Sequence, residues 1–534
     1  MFFDAMTRRS ALAVLPFVLA CPLWAQTTVA DPDDAIYADL DEWETKGRLR
    51  NLPRLRPYTM AMTIGLLQEV VADGDPADAE EARRYLDILA DHAFHPLAAA
   101  RAESAVSPSG TDYALDGSPG FAINTIVGEN LGVSARMDQW LAEGALSYGN
   151  RDMGIQAGFM HGAWGPIYDD GVVLGPQSPE SGQLTFSWRS PRLTTDFGFF
   201  ILRQGWPDSM GLAGPEGRPV GLGSGKYLVI HGLSWSPTRS LELGVFESMV
   251  WVDRLEPLYF IPLSEYFLSQ SVSGYGDNAF VGLSASVYLP GSMKLDLVGY
   301  ADDLDFSGVL KGRLDTKWKM AAQACLSWAP ESPIVQRLSL DYTAVGPYTY
   351  THWARAGTDA SGNSYFGALA YTNGGRNIGP DLDPDSDRIT LQAKSRTMSG
   401  VQVSGILRLT RHGNASEGVD GYTAGTSASG DASGGLGDPG LIKLGTPLAP
   451  VYSWIFQGDY DTGSSPRYFR FLTQSCLRIT TQAGIAVNYT TRIERLGTLG
   501  ASFGYTFEYV ANDNFVPGAT EIANYLTLAL GLAL

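Results

Sequence analysis

The sequence predicts an all-β transmembrane β-barrel of antiparallel strands, preceded by a small N-terminal α-helical bundle. Three observations predict it. Apolar and polar residues alternate with period two in segment after segment from about residue 112 onward, the pattern of strands with one greasy face. Beyond the first stretch no run reaches the roughly 18 apolar residues of a membrane helix, so a membrane crossing must use strands of about 9–11 residues. Short turns such as "SPTRS", "LPGSM" and "TMSG" contrast with long loops at 253–277 and 412–450 rich in Gly, Ser, Asp and Pro, as in barrels with a periplasmic and an outer end.

The chain opens on "MFFDAMTRRSALAVLPFVLACPLWAQ", where Arg8 and Arg9 precede an apolar run from Ala11 and small residues near Ala25. Residues 1–25 read as a secretory signal; "VLAC" offers the alternative of a lipidated Cys21. Residues 26–105 are assigned to a periplasmic helical bundle. Tyr37, Leu40 and Trp43 recur at helical spacing, as do Met60, Ile64, Leu67 and Val71 after Pro57. Asp75 caps a third helix with Pro76 in its first turn and Ala82, Tyr85 and Leu89 on one stripe. Between the first two helices "RLRNLPRLRP" sets Arg48, Arg50, Arg54 and Arg56 in an acidic chain. Pairing with the acids of the first helix is the stronger reading; contact with phosphate headgroups or an anionic polymer is the other.

Residues 112–534 are assigned to the barrel. In "LGASFGYTFEYV", Leu499, Ala501, Phe503, Tyr505, Phe507 and Tyr509 alternate with Gly500, Ser502, Gly504, Thr506 and Glu508. The chain ends on "YLTLALGLAL", with Leu526, Leu528, Leu530, Leu532 and Leu534 at every second position, a strand of the kind that closes a barrel. Between 16 and 20 strand-like segments can be counted in this region. A soluble propeller is the competing all-β fold, but no repeat of blade length appears.

Composition agrees: 61 Gly, 25 Tyr, 22 Phe and 12 Trp accompany a near-neutral mean hydropathy, because lumen and lipid faces average out. A net charge of −19 argues against nucleic acid, which needs a basic footprint. Cys325 and Cys476 remain after the signal and are expected to be unpaired and buried.

The stretch "LELGVFESMVWVDRLEPLYFIPLSEYFLSQSVSGYGDNAFVGLSASVYLPGSMKLDLVGYADDLDF" carries Glu247, Tyr259, Pro262, Tyr266, the Asp277-Asn278 pair and Asp302-Asp303. With "YTNGGRNIGPDLDPDSDRITL" and "IYADLDEWETKGRL…RPYT", it resembles the capsule assembly Wzi family of outer-membrane proteins. The resemblance implies a barrel of about 18 strands with a helical bundle at its periplasmic end, acting as a surface lectin that holds capsular polysaccharide. It fixes no sugar-contacting residue. Read from the residues alone, Glu247, Asp277, Asp302 and Asp303 must point into the lumen or emerge into water, with Arg203, Arg408 and Arg411 as partners. That lumen is either a polar pathway or is closed by mutual ion pairs.

"YTYTHWAR" places Tyr348, Tyr350, His352, Trp353 and Arg355 beside a long loop. Aromatic faces against sugar C–H patches and charges against hydroxyls make it a polysaccharide-binding candidate; an interfacial aromatic girdle is the weightier reading. Asp381, Asp383, Asp385 and Asp387 form an oxygen-rich set that could hold Ca²⁺. It lacks the turn Gly and distal Glu of the 12-residue calcium loop, so a solvated acidic loop is preferred and no metal or cofactor is expected. The six histidines show no ligand spacing, and no nucleophile elbow or phosphate loop appears.

The expectation is a non-enzymatic, monomeric protein of the outer membrane of a diderm bacterium. It contacts outer-membrane lipid and binds capsular or other surface polysaccharide through loops 253–277, 346–364 and 412–450. A porin or substrate-selective channel is the alternative.

Overall fold

The computed structural model describes residues 32–533 apart from 33–34, 91–93, 109, 138–141, 204–224, 253, 262–264, 267–268, 270–276, 302–318, 347–348, 351–356, 359–363, 366–368, 375, 414–470 and 494–496. The signal segment and Cys21 lie outside the described residues, as does most of loop 412–450.

Three helices come first: α1 (Ala35–Thr45), α2 (Met60–Asp73) and α3 (Pro76–Ala90). Thr59 caps α2 through its hydroxyl, and the Asp75 carboxylate accepts from the N–H groups of Ala77 and Asp78 at 3.0 Å to start α3, which satisfies donors that a helix start leaves free. The helices share one apolar core of Tyr37, Leu40, Trp43, Met62, Leu66, Val70, Ala82, Tyr85 and Leu89. The stripes read from sequence are the faces that meet.

Eighteen antiparallel strands then close into a barrel. They are β1 (Phe94–Ser107), β2 (Gly110–Val127), β3 (Leu131–Met137), β4 (Ala142–Gly149), β5 (Met153–Met160), β6 (Ser181–Arg189), β7 (Leu193–Leu202), β8 (Lys226–Thr238) and β9 (Leu241–Val252). The second half comprises β10 (Asn278–Leu289), β11 (Met293–Ala301), β12 (Met320–Trp328), β13 (Val335–Val345), β14 (Ser386–Ser395), β15 (Val401–His412), β16 (Arg478–Ile493), β17 (Gly497–Ala511) and β18 (Thr520–Ala533). Each strand pairs with its neighbours in sequence, and the ring shuts where Leu97 of β1 faces Ala533 of β18. The barrel thus begins at Phe94, inside the segment that the sequence pattern leaves to the bundle.

Alternation sorts the two faces. Leu243, Val245, Leu283, Leu407, Phe503, Leu528 and Leu530 face outward and are exposed, which only a lipid solvent accommodates in such number. Among the described residues no helix is long and apolar enough to cross a membrane, and the strands supply the outward apolar belt. Short turns lie at the end that holds the helices, the periplasmic end by the usual asymmetry. Cys325 and Cys476 are buried and not joined in a disulfide, as expected.

Candidate functional site

The lumen is filled from both ends. From the short-turn end the bundle docks on the wall through charged contacts: Glu44 accepts from Lys294 Nζ at 2.6 Å and from the Tyr288 hydroxyl at 2.8 Å, and Glu42 meets Arg396 at 3.0 Å. Arg54 pairs with Glu242, while its backbone N–H donates to Asp196 at 2.8 Å. Gly154 admits this approach, because a Cβ there would meet Thr59 Cγ2 at 2.5 Å. Burial would raise the Glu44 pKa, but the cations Lys294 and Arg54 outweigh it and hold the carboxyl down at about 2.

From the long-loop end the segment 161–180 turns inward. Ala163–Trp164 pairs antiparallel with Leu55–Arg56, so a loop of one end and the bundle linker of the other form a two-stranded ribbon inside the barrel. Gly165 N donates to Arg54 O at 2.7 Å, and the Arg56 guanidinium lies 3.4 Å over the Tyr168 ring. Below it Arg56 pairs with Asp41. The same loop is clipped to the far wall: Gln323 bonds the backbone of Asp170 and Val172, at 2.8 and 3.0 Å. Asp170 sits 2.9 Å from Arg388 and 3.8 Å from Arg408. Its burial is outweighed by these two cations, which lower its pKa. Around the ribbon Trp164, Ile167, Val172, Leu174, Phe246 and Phe280 form an apolar core, unlike the polar lumen of a water-filled channel.

Of the aromatic candidates, Tyr350 is described and belongs to that core, with its hydroxyl donating to Val172 O at 2.7 Å. Tyr348, His352, Trp353 and Arg355 lie outside the described residues. The aspartate series is not a solvated loop, which corrects the reading from charge alone. Asp385 and Asp387 are buried: Asp385 accepts from Leu472 N and Gln474 Nε2 at 2.9 and 2.6 Å, and Asp387 pairs with Arg411 at 2.5 Å. Burial pushes Asp385 up to about 7. Asp383 lies 3.9 Å from His412, and Asp381 is placed near Arg388. These four point at separate partners, and among the described residues no group of three His, Cys, Asp or Glu could hold a metal. Arg203 lies 3.9 Å from Glu180.

Four of the residues that carry the resemblance, Glu247, Tyr259, Tyr266 and Asp277, converge elsewhere, on the outside of the wall. Glu247 shares its strand face with the exposed Leu243 and Val245, while Phe246 and Ser248 face the lumen. It therefore points outward, against the expectation that it faces the lumen or emerges into water. Its charge is answered by His231 of β8, whose Nε2 is 3.2 Å away, and by the Tyr266 N–H at 2.8 Å. The Tyr266 ring stacks on His231 at 4.0 Å.

The described parts of loop 253–277, Tyr259 and Tyr266 among them, fold over this pair as a flap. Tyr259 and Tyr266 meet edge to face, and the Tyr259 hydroxyl donates to Asp277 at 2.6 Å, where Arg254 also pairs. Phe197, Val229, Met249 and Trp251 of the wall lie beneath it in the same apolar cluster. Asn278 turns the other way, its amide donating to Leu369 O at 2.8 Å. Pro262, Asp302 and Asp303 lie outside the described residues. An outward Glu next to a downstream Tyr-rich loop was the available signal; nothing in the alternation shows that the loop folds back.

No protein-family model matches the sequence, and no curated protein does. Among solved structures the fold is similar to Wzi of Escherichia coli, an outer-membrane protein involved in group 1 capsule assembly and a carbohydrate-binding β-barrel. The two are 12% identical over 94% of this chain and 98% of that one, with a TM-score of 0.55. OprD and OpdL of Pseudomonas aeruginosa each cover 83% of this chain at 10% identity, with TM-scores of 0.40 and 0.41, over 95% and 99% of their own lengths. The eighteen-stranded ring and its apolar belt identify the chain as an outer-membrane β-barrel protein of a diderm bacterium.

Proposed function

We propose that this protein is a closed outer-membrane scaffold that binds capsular or other surface polysaccharide and catalyses no reaction. The observation that carries the reading is the ribbon between Leu55–Arg56 and Ala163–Trp164. A pore needs a continuous wet path, whereas here segments from the two ends meet in mid-lumen within an apolar core. A binding scaffold needs the reverse, a rigid wall that presents loops to the outside. The fold shared with a carbohydrate-binding barrel supports it, as does the sequence resemblance to the Wzi family. The proposed contact surface comprises the outer loops, with Tyr348, His352, Trp353 and Arg355 as its aromatic and charged members.

The test is paired. Single-channel conductance in planar bilayers is expected to be silent for the full-length protein. Binding of fluorescently labelled surface glycans from the host to cells displaying the protein is expected to fall on substitution of Trp353 by Ala. Steady ohmic conductance from the full-length protein would sink the closed scaffold in favour of a porin or substrate-selective channel.

A further inference from the structure

The short-turn mouth holds a second feature that the lumen plug does not use. A cavity of about 920 Å³ lies between the bundle linker and the turns after β6 and β8. Arg48, Arg50, Arg151, Arg189, Arg192 and Arg239 line it, against two acids, Glu69 and Asp152. The chain as a whole carries 57 Asp and Glu against 38 Lys and Arg. Arg48 is answered from outside the lining by Asp75 and Asp78, which leaves a local excess of three cations; an acidic chain has carboxylates to spare, so folding alone does not require that pattern.

Two of these guanidiniums are incompletely used. Arg189 gives one nitrogen to Glu69 at 2.9 Å, yet its Nη1 is buried with no hydrogen-bond partner; its side chain is 10% exposed. Arg50 is wedged face-on against Tyr288 at 3.5 Å, and its Nη1 is likewise buried and unpartnered. Gly47 makes the wedge possible: its φ is +77°, and a Cβ there would fall 2.6 Å from Arg50 Nη2. Buried donors without acceptors are costly, and planar guanidinium forks match phosphate and carboxylate oxygens in pairs.

We propose that this cavity is a periplasm-facing binding site for a multivalent oxyanion, phosphate or carboxylate, gripped by Arg50 and Arg189 and steered by Arg192 and Arg239. The oxyanion comes either from a soluble periplasmic solute or from a phospholipid headgroup of the inner leaflet, since the turns after β6 and β8 lie at that interface. The site is at the opposite end from the loops invoked for polysaccharide and stands independently of them.

The experiment is isothermal titration of sodium tripolyphosphate into the full-length protein in phosphatidylcholine nanodiscs. The wild type is expected to bind, more weakly as salt rises. Arg50→Gln is expected to lose at least about tenfold in affinity, the worth of one charge-assisted hydrogen bond. A second variant, Arg192→Gln with Arg239→Gln, alters two exposed turn residues that folding does not need, and is expected to weaken binding severalfold. Heat-modifiable migration on gels verifies the barrel in each variant. Nanodiscs containing phosphatidylglycerol separate the sources. Weaker tripolyphosphate binding there supports the site with a headgroup as occupant; equal binding supports it with a soluble one. Absence of binding by the wild type, or equal binding by all variants, overturns the proposal.

Discussion

Two stretches of the same wall handle their outward faces in opposite ways. Across β16–β18 the outer face is Ile485, Phe503, Tyr505, Phe507, Leu528 and Leu530, each partly exposed and left for lipid to cover. Across β7–β9 the outer face includes His231 and Glu247, and the protein covers it with Tyr259 and Tyr266 from its own loop. The first wall follows the solvent; the second replaces it. A charge on the outside of a barrel is therefore not evidence of a misread strand when a neighbouring loop can bring aromatic surface and hydrogen-bond donors to it.

That contrast can be broken most forcefully at the His231–Glu247 contact. His231→Leu removes one of two hydrogen-bond partners of the Glu247 carboxylate and leaves it the Tyr266 N–H, with an expected loss of roughly 2–3 kcal/mol in urea unfolding from lipid vesicles. Replacing both His231 and Glu247 with Leu makes this wall resemble the other one and is expected to recover all but about 1 kcal/mol. Failure of the double variant to recover would mean that the pair organises the flap instead of merely being hidden by it.

Tyr266→Ala keeps the pair but strips its cover, and should cost up to about 2 kcal/mol, because a carboxylate brought to lipid costs less than Arg or Lys at the midplane. On the open wall, Tyr505→Ala removes a hydroxyl bonded to Asn524 at 2.8 Å and should cost only about 1 kcal/mol. Equal losses at the two tyrosines would erase the distinction between the walls.

The smallest effect at neutral pH concerns the inner contacts. Because the folded-state pKa of Glu44 is lowered from 4.5 to about 2, its docking contribution is present above the unfolded value and is lost as pH falls through the folded one. Protease sensitivity of the bundle should therefore appear between about pH 4.5 and 2, while the barrel strands remain protected. Bundle protection that is flat across this window would remove Glu44 from the docking contacts.

Much of the fold was legible because alternation is a local property. Phe503 to Tyr509 and Leu526 to Leu532 face as their spacing predicts, and the stripes of α1–α3 meet in one core. β1 was not legible: "LAAARAESAV" has small residues at nearly every position, so no bulky period marks the strand. Arg56 pairs with Asp41 of α1 as the charge pattern suggests, but Arg54 reaches the wall at Glu242, a contact across 188 positions that no local pattern encodes. The flap and the inward turn of 161–180 were hidden for the same reason, since a loop's sequence states its polarity and not the surface it lands on. The landmarks Glu247, Tyr259, Tyr266 and Asp277 were visible as letters, and only the structure explains why they belong together.

The seam between β1 and β18 has a kinetic consequence. It joins Leu97 to Ala533, the first barrel strand to the last, while every other ladder of the barrel joins barrel strands that follow one another. Until it shuts, the growing sheet has two bare edges, each a template for a foreign strand; once it shuts there is none. The entropy of closing so long a loop grows only logarithmically with its length, so the hazard lies in waiting time more than in free energy. The Leu-lined last strand completes the ring, and with it the period in which this chain is open to aggregation.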